Sequence, residues 1–293
     1  MRTLNIGILA HVDAGKTSLT ERLLFDHGAI DRLGSVDAGN TRTDDGSIER
    51  QRGITIRSAV AAFTAGDTQI NLIDTPGHCD FIAEVERALE VLDGAVLLLS
   101  AVEGVQAQTR VLMRTLRRLR LPTLVFVNKV DRAGARAESL LPDVRRLLTP
   151  HVAPLTEVTG LGTPNARVRV LDEAAARAGL AEALADVDPA VLAAVVDGPE
   201  PTSDQLHAAL AARTADGTFH PLYFGSALGG QGVAALVEGV IRLVPPPEPV
   251  PGTAEPRGTV FAVRPGAGGE RTAYLRLYEG EVTQRQRLMF LRR

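Results

Sequence analysis

Short apolar runs alternate with amphipathic stretches through the first half of the chain, and this order restricts the fold more than any other feature. Residues 4–10, 94–100 and 121–128 are apolar runs typical of buried strands, and a stretch with helical spacing follows each of them. Strands that alternate with helices form a mostly parallel sheet, because the connecting helices cover both of its faces. The pattern therefore predicts an α/β fold.

The order of the other predicted elements agrees with such a sheet. Strands at 60–64 and 69–74, joined by the turn 65–68, predict a hairpin. A further strand is predicted at 222–225. Helices are predicted at 16–24, 80–92, 106–119, 139–148 and 232–243.

The pattern changes between residues 150 and 218. A stretch broken by Gly and Pro precedes two Ala-rich helical segments, 172–185 and 204–212. Thr202 and Ser203 are suitable capping residues for the second segment, because their hydroxyls can accept a backbone hydrogen bond. The strand–helix order resumes afterwards, so we interpret residues 150–218 as a subdomain inserted into the sheet domain.

The last part of the chain is predicted to form a second domain. The first domain would end at residue 244, and residues 245–256 include six prolines, which predicts a stiff linker. From 257 to 293, apolar and polar residues alternate around a Gly-rich loop, which predicts about three strands. So few strands rarely form a stable sheet alone. We therefore interpret this part as the start of an incomplete antiparallel β-barrel.

The composition excludes several classes of protein. With 32 Lys and Arg against 35 Asp and Glu, the formal net charge of −3 excludes a generally basic nucleic-acid coat. No apolar run approaches the ~18 residues that a membrane span needs. Cys79 is the single cysteine, so no internal disulfide framework is expected. We predict a cytoplasmic protein with no membrane or DNA partner.

Residues 10–17 are typical of a phosphate-binding loop between a strand and a helix. Small residues let backbone N–H groups approach a phosphate, Lys16 can reach the outer phosphates, and the Thr17 hydroxyl can bind Mg²⁺. Ala10 stands where the general pattern has Gly, so a chance strand–turn–helix match is the alternative. The predicted contact residues are Ala10, His11, Val12, Asp13, Ala14, Gly15, Lys16, Thr17 and Ser18.

A second motif follows the predicted strand 69–74. An Asp at a strand end can hold Mg²⁺ through water, and the N–H of Gly77 can contact a γ-phosphate. Alone, this motif is as typical of an ordinary turn. Its residues are Asp74, Thr75, Pro76, Gly77 and His78.

Two further motifs favour a guanine base. In residues 128–131, the carboxylate of Asp131 can accept two hydrogen bonds from the guanine N1–H and 2-amino groups, which adenine does not present in that form. Residues 226–228 can offer a backbone N–H to the guanine O6. The residues are Asn128, Lys129, Val130 and Asp131 in the first motif and Ser226, Ala227 and Leu228 in the second.

The four motifs are weak separately and strong together. They occur in the required order, and each follows a strand of one open sheet, where ligands bind at the carboxyl ends. Lys16 and Lys129 are the only lysines among 32 basic residues, and both lie in these motifs. The sequence therefore predicts a guanine-nucleotide site.

A polar stretch with little periodicity, 34–53, separates the first two motifs and precedes Thr55. It is suited to a switch that becomes ordered when Thr55 meets Mg²⁺ and the γ-phosphate. A plain mobile loop is the alternative. The predicted magnesium ligands are Thr17, Thr55 and Asp74.

These residues resemble those of the translational GTPases of the elongation factor G superfamily. Ala10, residues 52–55 and the histidine after Asp-Thr-Pro-Gly match the superfamily's motifs. The stretch inserted before Gly225 resembles the extra subdomain of the elongation factor G group. The segments that most resemble the tetracycline-resistance ribosomal protection proteins are 33–37, 82–85, 104–110 and 273–278.

The resemblance implies binding and hydrolysis of GTP on the ribosome, with release of tetracycline as the result. His78 would be the catalytic residue, because it would position the attacking water between Val12 and Ile54. Ribosomal RNA at the factor-binding site would hold it there, so turnover away from the ribosome would be slow. Asp13 matches a residue implicated in binding a monovalent cation. The protein would be a monomer away from the ribosome.

Other interpretations stay open. The chain could be an elongation factor G paralogue that acts in translocation, or a truncated GTP-binding remnant without ribosomal activity. A nucleophilic role for Cys79 is disfavoured, since nothing in the sequence predicts a lowered thiol pKa. A solvated helix face explains Arg110, Arg114, Arg117 and Arg118, and contact with ribosomal RNA is the alternative.

Overall fold

The computed structural model describes residues 2–34, 59–74, 88–136, 139–247, 255–265 and 271–289. The strands are β1 Arg2–Ala10, β2 Ala59–Ala65, β3 Thr68–Asp74, β4 Gly94–Ser100, β5 Thr123–Asn128, β6 Val152–Pro154, β7 Thr156–Thr159, β8 Arg167–Val170, β9 His220–Phe224, β10 Arg257–Pro265 and β11 Arg271–Glu279. The helices are α1 Lys16–Asp26, α2 Ala107–Arg118, α3 Leu140–Leu147, α4 Glu173–Ala185, α5 Pro189–Asp197, α6 Ser203–Ala215 and α7 Val233–Leu243.

Seven of the described strands form one sheet in the order β2-β3-β1-β4-β5-β9-β6. β2 pairs with β3 in antiparallel register, as the predicted hairpin requires, and the other pairings in the sheet are parallel. The predicted α/β fold is therefore confirmed. Because β1, β4, β5 and β9 point the same way, the segments that follow them meet at one edge of the sheet.

The central strands are mostly apolar, as in a sheet whose two faces are both covered by other elements. Each residue of β4 and of β5 is buried. Phe126 on β5 is fully buried and lies in one core cluster with Leu19 of α1 and Leu236 of α7. This core fixes the helices that flank the carboxyl edge of the sheet.

The stretch between residues 150 and 218 contains more regular structure than the sequence indicated. The two predicted helices are present as α4 and α6, and Thr202 caps α6 in a capping box with Gln205. The strands β6, β7 and β8 and the helix α5 were not predicted. β6 pairs with β9, so the main sheet includes a strand from this stretch.

The helices α4, α5 and α6 surround an apolar cluster of their own. It includes Leu184, Leu206 and Phe219, each at most 1% exposed. α5 contributes Val191, while Asp188 accepts hydrogen bonds from the first turn of that helix and Pro189 occupies its first position. The described part of this stretch is therefore a packed body and not a loop.

The chain divides into two compact units, Met1–Pro246 and Pro247–Arg293. In the second unit β10 and β11 pair in antiparallel register with two irregularities. These are two strands among the described residues of that unit, where about three were predicted. The Gly-rich loop between them lies outside the described residues, as does most of the predicted helix 80–92, of which Ala88 and Leu89 are helical.

No helix within the described ranges has both the length and the apolar character that crossing a membrane requires. The longest described helices, α4 and α6, have 13 residues each.

We expect the free energy of unfolding to fall at acid pH because His220 is buried in its neutral form. This side chain is 0% exposed at the start of β9, its Nδ1 lies 3.3 Å from the carbonyl oxygen of Thr123, and burial lowers its pKa to about 4. Between pH 6.5 and 4 the unfolded chain binds a proton that the folded chain excludes. The free energy of unfolding should therefore fall with falling pH, by up to about 1.4 kcal/mol per pH unit.

Urea unfolding of the wild type and of His220→Asn between about pH 7 and about pH 4.5 measures this slope. The slope should be smaller in this variant than in the wild type, and the exposed His207→Asn on α6 should keep the wild-type slope. Equal slopes in wild type and His220→Asn would contradict the assignment.

Candidate nucleotide-binding site

The predicted phosphate loop joins the end of β1 to the start of α1. Gly15 has a φ of +96°, in the left-handed region that favours glycine, and a Cβ there would lie 2.4 Å from Nδ2 of Asn128. Asp13 also has a positive φ, +66°. No side chain caps α1, and the N-terminal end of a helix favours an anion. Lys16 and Thr17 are half-buried in the first turn of α1.

The buried side chain of His11 joins this loop to α2. It is 6% exposed, and its Nδ1 lies 3.1 Å from Oγ1 of Thr109 in the first turn of α2. Burial lowers the pKa of His11, an effect that the nearby Glu103 opposes. The ring is therefore neutral at neutral pH, which avoids a buried cation under the loop.

The side chain of Asn128 ties two of the predicted motifs together. Its Nδ2 donates to the carbonyl oxygen of Ala14 at 2.8 Å, and its Oδ1 accepts from the backbone N–H of Ala227 at 2.8 Å. Asn128 is 3% exposed, so these bonds are shielded from water. One buried amide thus holds the phosphate loop and the 226–228 loop at a fixed separation.

The rest of the 128–131 segment leaves β5 through a constrained turn. Lys129 has a φ of +66°, and its Nζ forms an ion pair with Oε1 of Glu103 at 3.0 Å. Val130 is fully buried, and its N–H donates to the carbonyl oxygen of Gly225 at 3.3 Å. Asp131 follows directly and is half-buried, so its carboxylate is accessible beside the anchored turn.

The 226–228 loop is held by bonds within itself and from α1. The N–H of Ser226 donates to the carbonyl oxygen of Gln231 at 2.9 Å. Nε of Arg22 donates to the carbonyl oxygen of Ala227 at 2.9 Å, and Nη2 of the same residue donates to that of Leu228. The helix that begins at the phosphate loop therefore also supports the loop predicted to contact guanine O6.

The structure brings residues 10–18, 128–131 and 226–228 to one edge of the sheet. Asp74 ends β3, and its backbone pairs in register with Ile8 of β1, two residues before the phosphate loop begins. The predictions for Thr55, Thr75, Pro76, Gly77 and His78 lie outside the described residues. Across the described ranges, no three His, Cys, Asp or Glu side chains are grouped as a metal site would require.

Three supporting residues were missed by the sequence analysis: Arg22, Glu103 and Thr109. Each acts through a contact with a residue distant in the chain, and no local spacing marks such a contact. Glu103 lies in a turn where Oγ of Ser100 accepts backbone hydrogen bonds, and this turn aims the carboxylate at Lys129. Only the fold could identify them.

Comparisons with known proteins give one family model and several relatives. Residues 1–246 match the family model of the elongation factor Tu GTP binding domain. The chain is 76% identical over 100% of its length to the tetracycline resistance protein TetM of Streptomyces lividans, and 57% identical over 97% to the oxytetracycline resistance protein of Streptomyces rimosus. These matches cover 46% and 43% of the relatives, so the chain spans about half of their length.

A crystal structure from Thermus thermophilus has the same fold. It matches 95% of this chain and 46% of its own with a TM-score of 0.82 and 29% identity. The predicted resemblance to tetracycline resistance proteins, in their N-terminal portion, is confirmed by the two Streptomyces relatives.

The bridge through Asn128 predicts a coupled loss of stability and binding. In Asn128→Ala, the carbonyl of Ala14 and the N–H of Ala227 lose their buried partner, and each unsatisfied group costs about 1–3 kcal/mol. Urea unfolding should show this loss, and GDP titration should show weaker binding. The exposed Asn165→Ala should match the wild type in both measurements. Unchanged GDP binding by Asn128→Ala would contradict the coupling.

Proposed function

Because the chain belongs to the elongation factor Tu GTP-binding domain family, we propose that it binds GTP and GDP with Mg²⁺ and hydrolyses GTP. The observation that carries the proposal is the bridge from Asn128 to Ala14 and Ala227, since it joins a phosphate loop to the loops suited to a guanine base. The glycine at position 15 permits this bridge, because a Cβ there would lie 2.4 Å from Nδ2 of Asn128. These features concern three separate parts of the chain and agree on one ligand.

The described residues have separate tasks in this proposal. Lys16 and the N-terminal N–H groups of α1 bind the outer phosphates, and the Thr17 hydroxyl is a ligand of Mg²⁺. When bound, Mg²⁺ neutralises charge on the phosphates. Asp131 accepts hydrogen bonds from the guanine edge, and the backbone at Ala227 faces O6. Asp13 is exposed beside the loop, where a monovalent cation would bind.

We further propose that the protein acts on the ribosome and protects it from tetracycline. The relatives from Streptomyces lividans and Streptomyces rimosus are named tetracycline and oxytetracycline resistance proteins, and the identity of 76% with the first extends over this whole chain. In this proposal His78 positions the attacking water, and docking at the factor-binding site of the ribosome brings His78 into place. Hydrolysis then resets the protein for another cycle.

Guanine specificity should depend on Asp131. Asp131→Asn replaces a charged acceptor by an amide, so two charge-assisted hydrogen bonds to guanine are lost and GDP affinity should fall at least about 100-fold. The diphosphate of xanthosine should bind the variant better than GDP does, because xanthine presents an acceptor where guanine has its amino group. Competition titrations of both nucleotides measure this, with the exposed Asp197→Asn as the control. An unchanged preference for GDP would refute the assignment.

Hydrolysis should depend on His78 without an effect on binding. His78→Ala should retain the GDP affinity of the wild type and lose about 100-fold in ribosome-stimulated GTP turnover, because the attacking water is no longer positioned. Phosphate release with and without ribosomes measures this, with the exposed His207→Ala as the control. Full stimulation of His78→Ala would remove His78 from the mechanism.

A further inference from the structure

Helix α2 has a surface charge that the fold itself does not explain. Its sequence, AQTRVLMRTLRR, contains four arginines and no acidic residue, although the whole chain has a net charge of −3. Its inner side is anchored by Leu112, Met113 and Leu116, which are buried. The apolar side of the helix therefore accounts for its packing on the sheet, and Arg110 and Arg114 lie on the exposed side.

The exposed surface of α2 adjoins that of the neighbouring helix α3. Nη1 of Arg117 donates to the carbonyl oxygen of Leu148 at the end of α3, at 3.4 Å, so the two helices are adjacent there. We define the arginine face as six exposed residues of α2, of the turn after it and of α3. They are Arg110, Arg114, Arg117, Arg118, Arg120 and Arg145.

Four of the six arginines of this face have no acidic partner among the residues that the structure describes. Arg110, Arg114, Arg120 and Arg145 form no ion pair with any residue that the structure describes. Some exposed arginines on other surfaces are paired with acidic side chains. The pairs are Arg169 with Glu157, Arg177 with Glu200, Arg242 with Glu238 and Arg257 with Glu279.

The like charges on α2 repel one another. Arg110 and Arg114 are four residues apart, as are Arg114 and Arg118, and side chains at this spacing are neighbours on a helix. Arg110 also lies near the N-terminal end of α2, where the helix dipole disfavours a cation. A bound anion would relieve both effects, so the face is suited to a polyanionic partner.

We propose that the arginine face binds the phosphate backbone of a base-paired segment of ribosomal RNA. Guanidinium groups bind phosphates with two parallel hydrogen bonds, and α2 is about 18 Å long, enough to contact several successive phosphates. The face contains no aromatic side chain among its described residues, whereas protein interfaces are usually anchored by aromatic residues. This inference deepens the proposed action on the ribosome, and it rests on that proposal for the source of the RNA.

A salt titration with a labelled RNA duplex of mixed sequence tests the proposal on the 293-residue chain. Binding should weaken with salt, and the Arg110→Gln/Arg114→Gln variant should bind at least about tenfold more weakly, with a salt slope smaller by about 2. Arg110→Lys/Arg114→Lys should retain most of the affinity because it keeps the charge. Arg177→Gln/Arg242→Gln makes the same change of net charge on other surfaces and should bind as the wild type does.

Several outcomes would overturn the proposal. The first is equal RNA binding by the wild type and the Arg110→Gln/Arg114→Gln variant. The second is an equal loss of RNA binding in the Arg177→Gln/Arg242→Gln control. The third is binding of poly-glutamate as tight as that of RNA, because the face would then be assigned to an acidic protein. Co-sedimentation with ribosomes must also fall in the double Gln variant, or the ribosomal source is wrong. GDP titration of each variant checks that the variant is folded. If the wild type did not bind GDP, the proposed function would be refuted. The RNA titration would still decide the present inference, because it does not depend on GDP.

Discussion

One side-chain amide holds the candidate site in its geometry. Asn128 extends from the end of the buried strand β5, and its two polar atoms bond to the backbone of Ala14 and of Ala227. Neither loop has regular structure that would fix its distance from the other. The base and the phosphates of a nucleotide are also separated by a limited distance. The amide of Asn128 therefore holds the two loops at a separation suited to contact with both ends of one nucleotide. The side chain of Arg22 reinforces this arrangement, since it joins α1 to the carbonyl groups of the 226–228 loop.

Two buried histidines of the sheet domain are kept neutral by burial. His11 and His220 both lie in the interior of the sheet domain, and burial lowers the pKa of each, so both are neutral at neutral pH. Lys129 lies nearer the surface and forms an ion pair with Glu103. At the two histidine positions the interior contains a neutral imidazole, which avoids the cost of an unpaired buried cation.

The sheet and the motif positions could be predicted because they depend on local patterns. β1, β4 and β5 are apolar runs of six to nine residues, long enough to identify without neighbours. β6 has three residues, and β7 and β8 have four each, which is too short for a periodic signal. α5 was missed although Asp188 and Pro189 are typical starting residues, because its apolar residues are mostly exposed and show no clear face. The contacts of Arg22 and Glu103 depend on distant partners, which only the folded chain reveals.

The position of β1 in the sheet has a consequence for the synthesis of the protein. This first strand lies between β3 and β4, and the bridge through Asn128 joins segments separated by 114 and 99 residues. At typical translation rates, roughly ten to forty seconds pass between synthesis of Ala14 and of Ala227. During that interval the partner of Asn128 at Ala227 has not been made, so the two loops that Asn128 joins cannot be held at their final separation. The geometry of the candidate site is therefore completed only after β9 has been synthesised.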